Sequence, residues 1–86
     1  MVKFGNSVLI TRVDDELVLL DKTSGIYFGL DAIGCRMVSL LIEHADPDTV
    51  AGLLSKEYDA PTDQISSDLQ HLMNDLLARG LIHVEA

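Results

Sequence analysis

The chain has 86 residues, of which 14 are Asp or Glu and 6 are Lys or Arg, giving a formal net charge of −8. This length predicts one domain with a thin core, and a hydrophobic fraction of 48% argues against disorder. An acidic surface repels phosphate backbones and anionic lipids, so we expect neither nucleic acid nor membrane as a partner.

Neither a secretory signal nor a membrane-spanning segment is expected. The opening MVKFGNSVLI lacks the apolar stretch of a signal peptide, and no apolar run in the chain is long enough to cross a bilayer. The single cysteine, Cys35, cannot form an internal disulfide and fits a reducing compartment. We therefore expect a cytoplasmic protein.

Residues 8–30 predict a three-stranded antiparallel meander. The segments Val8–Val13 and Glu16–Asp21 flank Asp14-Asp15, which is suited to a two-residue hairpin loop. A second turn, KTSG, ends at a glycine that can adopt positive φ, and the segment Ile26–Leu30 follows as the third strand.

The third strand carries an aromatic pair. Because side chains alternate along a strand, Phe28 and Leu30 are predicted to share one face, and Tyr27 and Gly29 the other. Packing within the core or the hairpin is one interpretation of both rings. Contact with a partner at the free strand edge is the alternative.

From residue 31 onward the apolar residues recur with a helical period, which predicts helices at about 32–44, 47–58 and 62–79. Asp31 is suited to cap the first helix, and the sequence DPD at 46–48 gives the second a cap, a first-turn proline and an acid. Gly80 is expected to end the third helix, with Leu81 making the accompanying hydrophobic contact. Residues 81–84 allow a short last strand.

The resulting order, β-β-β-α-α-α, predicts an α+β fold in a single domain over residues 1–86. It is winged helix-turn-helix-like, with a three-stranded antiparallel sheet placed before three helices.

Catalytic and metal-binding functions find little support in the residues. The histidines His44, His71 and His83 are 27 and 12 residues apart, without metal-ligand spacing. Cys35 lies in an amphipathic helix and is expected to pack, while His71 is expected at the surface or beside Asp75. The acids at the first hairpin tip lack the spacing of a calcium loop. We expect no enzyme, no catalytic residue, no cofactor and no metal.

The helix-turn-helix pattern raises the alternative of DNA binding. A recognition helix needs basic or amide side chains for the major groove. The third helix instead contains Asp63, Asp68 and Asp75 against Arg79 alone. Charge therefore argues against DNA and favours a peptide that adds to the free edge of the third strand, in a groove walled by the third helix.

Two stretches, LVLLDKTSGIYFGLDAIGCRMVSLL and YDAPTDQISSDLQHLMNDLLARGLI, resemble the PqqD-like family, the leader-recognition elements of ribosomally made, modified peptides. The resemblance covers residues 8–84 and implies a small winged-helix-like domain of three strands and three helices. The stretch Gly25–Asp31, read as G-x-Y-F-G-L-[DN], is similar to the stand-alone recognition proteins of lasso-peptide clusters.

This resemblance implies a non-catalytic chain that captures the leader of a precursor peptide. The leader would add antiparallel to the third strand and be presented to a leader peptidase (a cysteine protease) and an ATP-dependent cyclase. A leader Tyr and Pro would fill the apolar groove. Carried over by position, the peptide-binding residues are Ile26, Tyr27, Phe28, Gly29 and Leu30 of the strand and Ile65, Asp68, Leu69, Leu72 and Met73 of the third helix.

Two alternatives stay open at this point. One is a leader carrier for a radical-SAM or other modifying enzyme of the PqqD-like kind. The more distant one is an acidic winged-helix transcription or adaptor protein. The acidic surface itself indicates either a basic partner or ordinary solubility.

Overall fold

The computed structural model describes residues 1–14 and 16–85. Its elements, in chain order, are β1 (Val2–Phe4), β2 (Val8–Val13), β3 (Glu16–Asp21), β4 (Tyr27–Gly29), α1 (Ala32–His44), α2 (Pro47–Tyr58), α3 (Thr62–Ala78) and β5 (Ile82–Val84). The predicted fold class, a three-stranded antiparallel sheet followed by three helices, is confirmed.

The sheet has the order β2-β3-β4, with β3 in the middle and both pairings antiparallel. Val13 pairs with Glu16, and Asp14 has a φ of 56°, as a two-residue hairpin turn requires. The second turn residue, Asp15, lies outside the described residues. The pairing of Val13 with Glu16 agrees with the predicted two-residue hairpin loop.

The turn between β3 and β4 is organised by the carboxylate of Asp21. It accepts hydrogen bonds from the Ser7 hydroxyl at 2.8 Å, the Thr23 N–H at 3.0 Å and the Ser24 hydroxyl at 3.0 Å. These hydrogen bonds hold the pKa of Asp21 below its ordinary value because they stabilise the charged form. The bond from Ser7 has the largest effect. Gly25 completes the turn with a φ of 77°.

The third strand of this sheet is shorter than the predicted Ile26–Leu30. The backbone N–H of Ile26 still belongs to the turn and donates to the Ser24 hydroxyl at 3.2 Å. At the other end Leu30 directly precedes Asp31, which caps α1. The strand is shortened because both of its ends are used by neighbouring elements.

A second, two-stranded sheet was not predicted. In it β1 pairs antiparallel with β5, so that Val2 lies opposite Val84. The N–H of Val2 also donates to the carbonyl of Ala45 at 2.8 Å, which fixes the start of the chain beside the end of α1. The open possibility of a last strand is thus realised, at Ile82–Val84.

The helix ends follow the predicted signals. Asp31 accepts the N–H of Gly34 at 2.8 Å, and Asp46 accepts that of Asp48 at 3.2 Å. At the end of α3 the N–H of Gly80 donates to the carbonyl of Leu77, and the N–H of Leu81 donates to the carbonyl of Leu76. These two hydrogen bonds define a Schellman motif. The helix ends at Ala78, one residue before the predicted 79, because Arg79 is its cap.

One core joins the sheet to all three helices. Leu19 of β3, Leu41 of α1, Leu54 of α2 and Leu76 of α3 are each at most 1% exposed. Cys35 belongs to this core, where its Sγ accepts the N–H of Leu17, so the prediction that it packs is confirmed. None of the helices in the described part of the chain is long and apolar enough to cross a bilayer.

Candidate functional site

The outer edge of β4 is open. The N–H of Asp21 donates to the carbonyl of Ile26 at 2.8 Å, and the N–H of Leu30 donates to the carbonyl of Leu17 at 3.2 Å. Because successive residues of an antiparallel strand turn their backbone groups to opposite sides, the groups of Tyr27 and Gly29 point away from β3. Within the described residues no strand covers them, since β4 pairs with β3 alone.

The two aromatic residues of β4 lie on opposite faces. Phe28 is half-buried and packs against the core, whereas Tyr27 is 65% exposed on the outer face. A Cβ built on Gly29 would lie 3.9 Å from the Tyr27 hydroxyl, so the Tyr27 ring runs alongside this glycine. The predicted alternation of faces is confirmed by this burial pattern.

A groove of about 450 Å³ lies beside the open edge. Its walls come from β4 with the turn that follows it, from the first half of α1, and from one stripe of α3. The lining residues are Phe28, Gly29, Leu30 and Asp31, then Ile33, Gly34 and Met37, and finally Asp68, Leu72 and Asp75. The groove therefore combines an apolar floor with an unpaired strand edge.

Gly34 lets the corner of this groove close tightly. A Cβ at this position would lie 3.0 Å from a carboxylate oxygen of Asp31 and 3.2 Å from the Leu30 side chain. The glycine thus allows Asp31 to cap α1 while Leu30 packs beneath the first helical turn. Both residues keep their places in the groove wall for this reason.

The charges that line the groove are all negative. Asp31, Asp68 and Asp75 line it, and no Lys or Arg of the described residues does so. Arg79 contacts one of the lining residues, since its guanidinium carbon lies 4.9 Å from the centroid of the Phe28 ring. This cation contacts the face of the ring and keeps its positive charge.

Five of the ten residues predicted to bind peptide line the groove together, namely Phe28, Gly29, Leu30, Asp68 and Leu72. Three others, Ile65, Leu69 and Met73, are buried in the core, at most 5% exposed. Tyr27 lies on the outer face and Ile26 precedes the strand. Contact between any of the ten and a peptide stays a prediction.

The sequence interpretation did not include the lining residues Asp31, Ile33, Gly34, Met37 and Asp75. Those of α1 already had a local explanation as cap and apolar stripe, so nothing marked them as a wall. Asp75 carried a usable signal, because it follows Asp68 by seven residues and therefore lies on the same helical stripe.

No metal centre is assembled in the described part of the chain, where no group of three or more His, Cys, Asp or Glu is arranged to hold an ion. His44 has its nearest carboxylate, Glu43, at 3.9 Å, and His83 has Glu85 at 3.2 Å. His71 is exposed on α3, in agreement with the surface alternative.

Comparison with known proteins gives one family and two similar structures. A family model described as "Coenzyme PQQ synthesis protein D (PqqD)" matches residues 16–82. The structure of TbiB1 in complex with the TbiA(beta) leader peptide is 34% identical in sequence, with 98% of each chain covered and a TM-score of 0.90. Lasso peptide synthetase B1 complexed with the leader peptide is 25% identical, with 96% of this chain and 98% of that chain covered and a TM-score of 0.88. A search of curated proteins found no match.

Proposed function

Because the chain belongs to the PqqD family, we propose that it is a non-catalytic recognition protein that binds the leader segment of a ribosomally made precursor peptide. The observation that carries this proposal is the open edge of β4 beside an apolar groove. Two proteins that share the fold over nearly the whole chain were solved with leader peptides bound.

The leader becomes a fourth strand, antiparallel to β4. The outward N–H and C=O groups of Tyr27 and Gly29 bond its backbone, and its alternate side chains enter the groove. A micromolar complex corresponds to about −8 kcal/mol, while each backbone hydrogen bond contributes only about 1 kcal/mol. Because association also costs several kcal/mol, side chains buried in the groove must provide much of the affinity and the specificity.

The ten residues named from the sequence divide into different roles under this proposal. Phe28, Leu30, Asp68 and Leu72 contact leader side chains, and Gly29 contacts its backbone, since all five line the groove. Tyr27 contributes its backbone and supports the strand through its ring. The buried Ile65, Leu69 and Met73 hold α3 in place, and Ile26 ends the turn.

We assign the leader to a lasso-type pathway, in which the bound precursor is presented in the cytoplasm to a leader peptidase and an ATP-dependent cyclase. The structural similarity to a lasso peptide synthetase B1 supports this assignment. The family description itself favours a second candidate, a leader carrier for a radical-SAM or other modifying enzyme of the PqqD kind. The genes that neighbour the gene for this chain distinguish the two candidate functions, since the lasso-type pathway requires a protease and a cyclase.

The test is fluorescence anisotropy with a labelled leader from the precursor encoded beside this chain's gene. A dissociation constant in the micromolar range or below is expected, with no binding to a scrambled peptide of equal composition. Absence of binding at tens of micromolar would refute the assignment to that pathway.

A further inference from the structure

We propose that the groove selects a guest segment that carries a lysine or arginine side chain, bound between Asp68 and Asp75. This inference rests on the proposed function and adds the chemistry of the guest. Its starting point is the wall of the groove formed by α3, where Asp68, Leu72 and Asp75 face the same space.

The three residues form one stripe, with spacings of four and three along the helix. At 1.5 Å per residue, Asp68 and Asp75 are about 10 Å apart along the axis, with Leu72 between them. A long basic side chain fits this arrangement, because its alkyl stem packs on a leucine while its head reaches a carboxylate.

The two carboxylates are available to a charged guest, since no Lys or Arg of the described residues is within ion-pair distance of either. Asp68 accepts a hydrogen bond from the neutral amide of Gln64 at 3.0 Å, and neither Asp68 nor Asp75 forms an ion pair with a Lys or Arg there. Asp31 differs, because it caps α1 and faces the positive end of that helix.

Arg79 is four residues after Asp75, a spacing that permits an ion pair, but the two side chains do not form one. Its guanidinium instead lies over the Phe28 ring, 4.9 Å from the ring centroid. A guest strand that covers this wall removes water from two carboxylates. A guest with a neutral or acidic side chain there would leave them desolvated and unpaired, which is unfavourable.

The strand geometry adds a spacing rule for the guest. Side chains that face the groove recur every second residue of an added strand, about 6.8 Å apart. The basic residue and the apolar residue that occupies the groove floor therefore have the same parity in the guest sequence. We expect them two positions apart.

The experiment is selection from a display library of random ten-residue peptides on the immobilised full chain in 50 mM salt. Lys or Arg should be enriched about threefold or more at two positions from an apolar anchor. The double variant Asp68→Asn/Asp75→Asn should lose this enrichment and keep the apolar preference. The control Glu43→Gln/Glu85→Gln has the same net charge, lies outside the groove and should keep both.

A selected peptide then permits a direct measurement by anisotropy. Replacing its basic residue with norleucine should weaken binding to the unmodified chain about tenfold, the order expected for two partly exposed carboxylates at low salt. The double variant should bind both peptides equally, and 500 mM salt should remove the difference for the unmodified chain. Thermal melts establish that each variant is folded.

The outcomes separate this inference from the function on which it rests. Enriched peptides that require an intact β4 edge but show no basic preference would overturn the inference alone. Enriched peptides whose binding is unaffected by Gly29→Pro would overturn strand addition. A library without any enriched peptide would overturn the basic specificity, whereas the titration with the leader itself decides peptide binding separately.

Discussion

Replacing Gly29 with proline should weaken peptide binding and leave the chain folded. The N–H of Gly29 points away from β3, so its loss breaks no bond of the sheet. Proline is tolerated on an edge strand for this reason. Gly29→Ala is the matched control, because it keeps the N–H and its Cβ meets the Tyr27 hydroxyl at an ordinary 3.9 Å.

The size of the effect follows from the single donor that is removed. The complex loses one backbone hydrogen bond, about 1 kcal/mol. Because the carbonyl of the guest that accepted it is left without a donor in a covered edge, the cost of this loss rises to about 1–3 kcal/mol. This cost predicts a dissociation constant raised roughly 5-fold to 150-fold.

The assay is anisotropy of the labelled leader with the unmodified chain, Gly29→Ala and Gly29→Pro, with thermal melts of all three. Alanine should stay within a few-fold of the unmodified chain, since no group that faces the guest is removed. If the proline variant is folded and binds as tightly as the alanine variant, the guest does not add to β4.

Three further outcomes are expected. Leu72→Ala should weaken leader binding about tenfold with little loss of stability. The core variant Leu69→Ala should instead lower the free energy of unfolding by about 2–5 kcal/mol. Equal effects of the two variants on leader binding would contradict the assigned faces of α3. Asp21 has a lowered pKa in the folded state, so its contribution is present at neutral pH and disappears as pH falls through that pKa. The stability gap between the unmodified chain and Asp21→Asn, measured by denaturation, should therefore narrow as the pH falls below the ordinary carboxyl pKa of 3.8. Gly80→Ala should lower Tm by about 4–8 °C because the φ of 71° costs alanine about 1 kcal/mol; an unchanged Tm would refute the strain.

The helical half of the fold was predictable because its signals are local. Asp31 and Asp46 each accept a backbone N–H at most three residues later in the chain, so both helix starts can be recognised from a short stretch of sequence. Gly80 ends α3 through its own positive φ. The first strand, Val2–Phe4, carries no comparable signal. Its partner is β5, some eighty residues away, and three alternating residues do not distinguish a strand from a loop.

The site was predictable in part, for a related reason. Periodicity defines the stripes of α3 but not which neighbour covers each one. Leu69 and Met73 are covered by α2 and the core, whereas the stripe of Asp68 and Leu72, one residue earlier, faces the groove. The choice between adjacent stripes depends on how α1 and α2 are placed, which is a property of the tertiary structure.

The acidity of the chain acquires a structural reason at the edge of β4. An open strand edge invites pairing with a second copy of the same chain. Such pairing would bring together two chains that each carry a net charge of −8, with an acidic groove beside each edge. Repulsion between two chains of the same net charge opposes the contact, while the same charge attracts a basic guest. Negative charge beside β4 therefore has two expected effects. It disfavours self-association through the open edge of β4, and it favours the basic strand that this edge is proposed to bind.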